Sequence, residues 1–122
     1  MHKILLVDDS ADILDVLKMF LEMKQYRVRT LSGASFIHKV LSEFKPDLII
    51  LDIFLREQDG RDVCKSLRQN PEIKDLPILL TSASPATLAE YKTYLADDFL
   101  EKPFDLSTLD QKIQSLLART PG

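Results

Sequence analysis

Glycine and cysteine are both scarce in this 122-residue chain, and each scarcity closes off a class of function. Glycine occurs only at positions 33, 60 and 122, so no glycine-rich loop exists to cradle the phosphates of a nucleotide. The single cysteine, Cys64, excludes an internal disulfide and any cysteine-based metal cluster. It falls within a helical pattern, where it reads as a small buried apolar residue. There is no basic stripe: 16 Lys and Arg are scattered among 19 acids, for a net charge of −3. That distribution cannot neutralise a phosphate backbone and argues against direct nucleic-acid binding. No apolar run approaches the roughly 20 residues a membrane helix needs, and Ile4-Leu5-Leu6-Val7 is too short for a signal peptide. These absences predict a soluble, cytoplasmic protein with no membrane or nucleic-acid partner. The length suits one domain over 1–122, with a frayed tail from about Arg119 and no repeat or linker.

What is present is an alternation of short apolar runs and helical patterns. The central run is Leu48-Ile49-Ile50-Leu51, entered at Pro46 and ended by Asp52. A continuous apolar run without polar alternation is how a parallel strand covered on both faces reads. Similar runs lie at Ile4–Val7 and Ile78–Leu80, with a brief strand at Asp98–Leu100. Tyr26 to Leu31 alternates like a half-exposed edge strand.

Helices are predicted between these strands. One is capped by Ser10 and faces inward with Ile13, Val16, Leu17, Phe20 and Leu21. A second carries Phe36, Ile37, Val40, Leu41 and Phe44; a third starts near Gly60 and buries Val63, Cys64 and Leu67. A short fourth runs from Pro85 to Leu95. The last, capped by Asp105, buries Leu106, Leu109, Ile113, Leu116 and Leu117. Five strands alternating with five helices specify an α/β fold with a parallel sheet and right-handed crossovers.

In such a sheet the C-terminal strand ends share one rim, which is where open α/β sheets place their ligands. Asp8-Asp9, Asp52, Ser82 and Lys102 all fall there. Carboxylates about 5 Å apart repel by roughly 3 kcal/mol per pair at an effective dielectric near 20. A hard cation would relieve this, and an all-oxygen donor set points to Mg²⁺. Taken singly, each residue has a plainer explanation. Asp8 and Asp9 could complement a helix dipole, Asp52 could end a strand, Ser82 could be a turn serine, and Lys102 could be a solvated surface charge.

The ordered set resembles the receiver domain of bacterial two-component response regulators. Its elements are the Asp8-Asp9 pair, strand-end Asp52 with Asp59-Gly60 following, Ser82-Ala83 after the fourth strand, and Lys102-Pro103-Phe104 after the fifth. The resemblance implies a flavodoxin-like fold with strand order 2-1-3-4-5. It implies that Asp52 is the phosphoacceptor, Asp9 a direct Mg²⁺ ligand and Asp8 a ligand through water, with the backbone carbonyl of Phe54 completing the protein ligands. Mn²⁺ would be able to substitute for Mg²⁺. Ser82 would hydrogen-bond the phosphoryl group and Lys102 would pair with it, while Phe99 matches the family's rotameric aromatic. The family pattern falls on Ser82 rather than Thr81, and strand alternation turns Thr81 to the opposite face. The implied donor is a phosphohistidine on a sensor histidine kinase or phosphotransfer protein, with small phosphodonors such as acetyl phosphate in its place. The output is an unidentified partner or fused domain meeting the surface of the fourth helix, fifth strand and fifth helix.

The chain departs from the family at three places. Leu55-Arg56 stands where Met-Pro is common, which predicts a looser loop and adds a cation near the site. The interval from Ser82 to Lys102 is about two residues short, which predicts a trimmed or irregular fourth helix. Leu95 replaces the usual glycine before the fifth strand, removing the favoured left-handed cap. Two other functions compete. A haloacid-dehalogenase-like phosphohydrolase would need a second Asp where Phe54 stands. A pseudo-receiver would use the same fold for protein binding without phosphorylation. His2 and His38 read as ordinary surface residues.

Overall fold

The three central strands form because their side chains are apolar on both faces. The computed structural model, which describes residues 1–119, places every residue of β3 (Leu48–Asp52) and β4 (Ile78–Ser82) in the interior. With β1 (Lys3–Val7), β2 (Arg27–Leu31) and β5 (Asp98–Glu101) they make one five-stranded parallel sheet in the order β2-β1-β3-β4-β5. This is the flavodoxin-like order expected from the sequence. The helices are α1 (Ala11–Met23), α2 (Ile37–Phe44), α3 (Gly60–Arg68), α4 (Pro85–Leu88) and α5 (Leu106–Ala118).

Period-two alternation divides the core into two layers. Leu5, Val7, Ile49, Leu51, Ile78 and Leu80 pack with α2, α3 and α4. Ile4, Leu6, Leu48, Ile50, Leu79 and Leu100 pack with α1 and α5. Cys64 is fully buried in the first layer, and burial pushes its thiol up to about 11, so it is inert as a nucleophile.

Several local expectations change. The inward face of α1 is Leu14, Leu17 and Leu21, with Ile13 and Phe20 only partly covered and Val16 exposed. The stripe is thus centred on Leu14–Leu17–Leu21, and Val16 lies off its edge. Phe36 sits at the N-cap of α2, before the first helical turn, and is 68% exposed. Tyr26 precedes β2 rather than opening it. Asp105 occupies the N-cap of α5 but makes no capping side-chain bond, and Leu106 is only half-buried.

α4 ends at Leu88, and turns continue to Leu95. Leu95, expected to lose the left-handed cap, adopts it with φ 66°. An L-residue is disfavoured there by about 1–2 kcal/mol. The turn is held from outside: Arg68 donates to the Leu95 carbonyl at 2.8 Å and forms an ion pair with Asp97, which also accepts from the Ile78 amide. The tail expected to fray lies outside the described residues beyond Arg119, which is the C-cap of α5.

Candidate functional site

Each acid reaches the rim because its strand stops there. Asp8 follows β1 directly, and its Oδ1 accepts from the Ser10 amide at 2.9 Å, while Ser10 Oγ caps α1 by accepting from Ile13. Asp52 is the last residue of β3, in register with Thr81 on β4. Asp8, Asp9 and Asp52 each offer a carboxylate oxygen within 4.8 Å of the others, the one such acidic cluster found among the described residues. Asp8 and Asp52 are buried, whereas Asp9 is partly open to solvent.

Lys102, carried at the end of β5 by a bond from its own amide to the Ser82 carbonyl, closes the cluster. Its Nζ donates to Asp8 Oδ2 at 2.7 Å and lies 3.4 Å from Asp52 Oδ2. Burial works against the ammonium, but the hydrogen bond to Asp8 and the negative charge of Asp52 and Asp8 outweigh it and hold its pKa above the ordinary value. The Asp52 pKa is raised as well, which for a carboxylate disfavours the charged form. Burial first, and the Asp8 charge second, raise its pKa despite Lys102 and the Phe54 amide. One buried cation among three acids, with the exposed Arg56 only at its edge, leaves the cluster under-neutralised, and its donors are hard oxygens, which suits Mg²⁺.

The sequence-predicted residues thus fall into two groups. Asp8, Asp9, Asp52 and Lys102 meet, and the Phe54 amide reaches Asp52 Oδ1 at 3.4 Å. The Ser82 and Phe99 side chains make other contacts, although the Ser82 carbonyl accepts from the Lys102 amide. Ser82 Oγ accepts from the Ser84 amide at 3.0 Å, and Phe99 stacks at a tilt on Tyr91 with ring centroids 5.0 Å apart. Ser82 and Phe99 share the sheet face covered by α3 and α4, since Phe99 is in register with Leu80. Thr81 faces the other way, beside Leu6, Ile50, Lys102 and Phe104.

Arg56, expected from the sequence to add a cation near the site, does so: 83% exposed, it lies 3.8 Å from Asp9 across the mouth. One participant was not assigned from the sequence. Gly60, legible only as half of an Asp-Gly turn, presses against the Asp52 backbone: a Cβ there would lie 2.3 Å from the Asp52 carbonyl oxygen.

The response regulator receiver domain family matches residues 4–114. The chain belongs to that family. Its receiver fold is similar to that of Vibrio cholerae chemotaxis protein CheY4 (TM-score 0.88, 30% identity, covering 95% of this chain and 98% of that one). It is also similar to Thermotoga maritima response regulator TrrA, solved with Mg²⁺–BeF (TM-score 0.85, 29% identity, 95% and 99% covered). In sequence the receiver is 37% identical to the alkaline phosphatase synthesis transcriptional regulatory protein PhoP of Bacillus subtilis, over 97% of this chain and 49% of that protein. It is 34% identical to the DNA-binding dual master transcriptional regulator RpaA of Synechocystis, over 98% and 51%. The receiver spans about half the length of these relatives. Among its described residues no helix is long and apolar enough to cross a membrane.

Proposed function

We propose that residues 1–122 form one receiver domain acting as a phosphorylation-dependent switch, with Asp52 as phosphoacceptor. The observation that supports this most is the cluster itself: three carboxylates within 4.8 Å, with the Lys102 ammonium 2.7 Å from one and 3.4 Å from another. Asp9 and Asp52 would hold Mg²⁺ directly, with the Phe54 carbonyl, and Asp8 through water; Mn²⁺ would serve in its place. The bound ion supplies positive charge to the phosphoryl oxygens.

Asp52 is already an anion at neutral pH and needs no general base. A lone pair of its carboxylate forms the new O–P bond as the P–N bond of a phosphohistidine breaks, and the departing imidazole nitrogen takes the electron pair. Lys102, held by Asp8 at the height of Asp52, stabilises charge on the transferring group. The donor is a sensor histidine kinase or phosphotransfer protein in the cytoplasm. The output is a partner or fused domain reading the α4–β5–α5 face, with no direct nucleic-acid or membrane contact by the receiver. The chain assists its own phosphorylation and dephosphorylation but is not otherwise an enzyme. The test is incubation with acetyl phosphate and Mg²⁺. A chelator-sensitive, hydroxylamine-labile phosphate on the protein is expected, and its absence favours a pseudo-receiver instead.

Two consequences concern lifetime and switching. The Phe54 side chain is bulky, apolar and half exposed beside the acid, and it cannot orient an attacking water. Phe54→Asn is expected to shorten the acyl-phosphate lifetime several-fold; unchanged decay after donor removal refutes this.

For switching, Ser82, whose Oγ accepts from the Ser84 amide, must move toward Asp52 so that its hydroxyl donates to the phosphoryl group. That movement opens space for Phe99, which shares its sheet face, to turn inward. Full burial of a Phe is worth roughly 1.5–3 kcal/mol, so partial burial biases a two-state equilibrium. Ser82→Ala is expected to accept phosphate more slowly and to lose the beryllofluoride-dependent NMR shifts of Phe99. Retention of the full shifts would remove Ser82 from the mechanism.

A further inference from the structure

α3 presents Arg61, Lys65 and Arg68 at successive turns of one face, and all three engage the segment between α4 and β5. The Arg61 guanidinium and the Lys65 ammonium each lie 5.4 Å from the centroid of the Tyr94 ring, both within the range of cation–π attraction. The Tyr94 hydroxyl donates to Glu90 at 2.6 Å, closing the turn on itself. Arg68 takes the Leu95 carbonyl and the Asp97 carboxylate.

The other end of this stripe is fastened to the phosphoacceptor. Arg61 chelates Asp59, which caps α3 and bridges Phe54. The next residue, Gly60, donates to the Ile53 carbonyl at 2.6 Å and abuts the Asp52 backbone. A chain of contacts therefore runs Asp52–Gly60–Asp59–Arg61–Tyr94–Glu90. It reaches the 89–97 segment from the α3 side, whereas Ser82 meets that segment through Ser84.

We propose that this clasp is a second coupling route, which restrains the 89–97 segment and thereby opposes switching at Asp52. The inference rests on the phosphoacceptor reading of that site. Its sign follows from the connectivity. Ser84 both holds Ser82 Oγ and caps α4, so drawing Ser82 toward Asp52 pulls the following segment along. The clasp anchors that segment to α3, whose N-terminus is fixed against Asp52, and so stabilises the arrangement in which Ser82 faces Ser84. Coupling is reciprocal, so releasing the segment must tighten ligand binding at the acid site by the same factor that ligand binding loosens the clasp.

The measurement is isothermal titration of beryllofluoride with Mg²⁺ into the full chain, with a urea midpoint for each variant. Tyr94→Ala is expected to tighten beryllofluoride binding about fivefold, the lower end of ordinary allosteric coupling. Lys65→Gln, a surface change that spares the fold and the acid site, is expected to give a smaller gain. Adding it to Tyr94→Ala should bring nothing further. A merely structural clasp would lower the urea midpoint and leave the affinity unchanged. Unchanged or weaker binding in both variants overturns the coupling alone. Failure of the wild type to bind beryllofluoride overturns the coupling together with the phosphoacceptor reading.

Discussion

Asp52→Asn is expected to abolish acetyl phosphate-dependent labelling, a loss of at least about 10²-fold, because it removes the attacking oxygen anion while conserving shape. Equal labelling of the two proteins would place the phosphate elsewhere. The same substitution is expected to stabilise the metal-free fold. Burial and the Asp8 charge raise the Asp52 pKa above 3.8, so the folded protein binds this proton more readily than the unfolded chain. Ionised Asp52 therefore costs stability at neutral pH. That cost fades as pH falls through the window between the folded pKa and 3.8, and is gone below it.

In chelator at pH 7, Asp52→Asn should accordingly melt about 3–6 °C higher, taking roughly 1 kcal/mol of relieved strain. The gap should close on acidification. Lys102 does not reverse the sign, because its shorter bond is to Asp8 and survives the substitution. Saturating Mg²⁺ should invert the order, since an ion at a hundred times its Kd stabilises the wild type by about 2.7 kcal/mol. A variant that melts below wild type in chelator contradicts the crowded-acid account.

Gly60→Ala is the second change with a large expected effect. Its Cβ would lie 2.3 Å from the Asp52 carbonyl oxygen and 2.7 Å from Ile53 Cα, both backbone atoms that no rotamer change can move aside. The obstacle is space rather than backbone conformation. Over-packing of this kind costs about 1–3 kcal/mol or more, so the melting temperature should fall by roughly 5–15 °C. Phosphorylation should slow by about 10²-fold if the strand end shifts by an ångström, because orientation at the reacting centre is lost. Gly33→Ala is the control, since no heavy atom lies within 4 Å of a Cβ there. If both alanines behave alike in melting and labelling, the contact between Gly60 and Asp52 is not what positions the acid.

The sheet and its rim were legible in the sequence because both depend on local pattern. Leu48–Leu51 and Ile78–Leu80 are apolar on both faces, so each is a central strand, and the polar residues that stop them must lie at the rim. Asp8, Asp9, Asp52 and Lys102 could be brought together from that rule alone. Other features belong to contacts between segments with no shared local signal. The left-handed Leu95 is held by Arg68, 27 positions earlier. Arg56 was legible as a cation near the site, but its pairing with Asp9 across two loops was not. Gly60 matters for the strand it touches, not for the turn it ends. Periodicity likewise marks a helix but not the bearing at which it docks, which is why Val16 and Phe36 are exposed and Leu14 is buried. Hydrophobic pattern decides which segments fold and in what order. The docking of those segments decides which side chains meet, because that energy depends on close contacts between residues far apart in the chain.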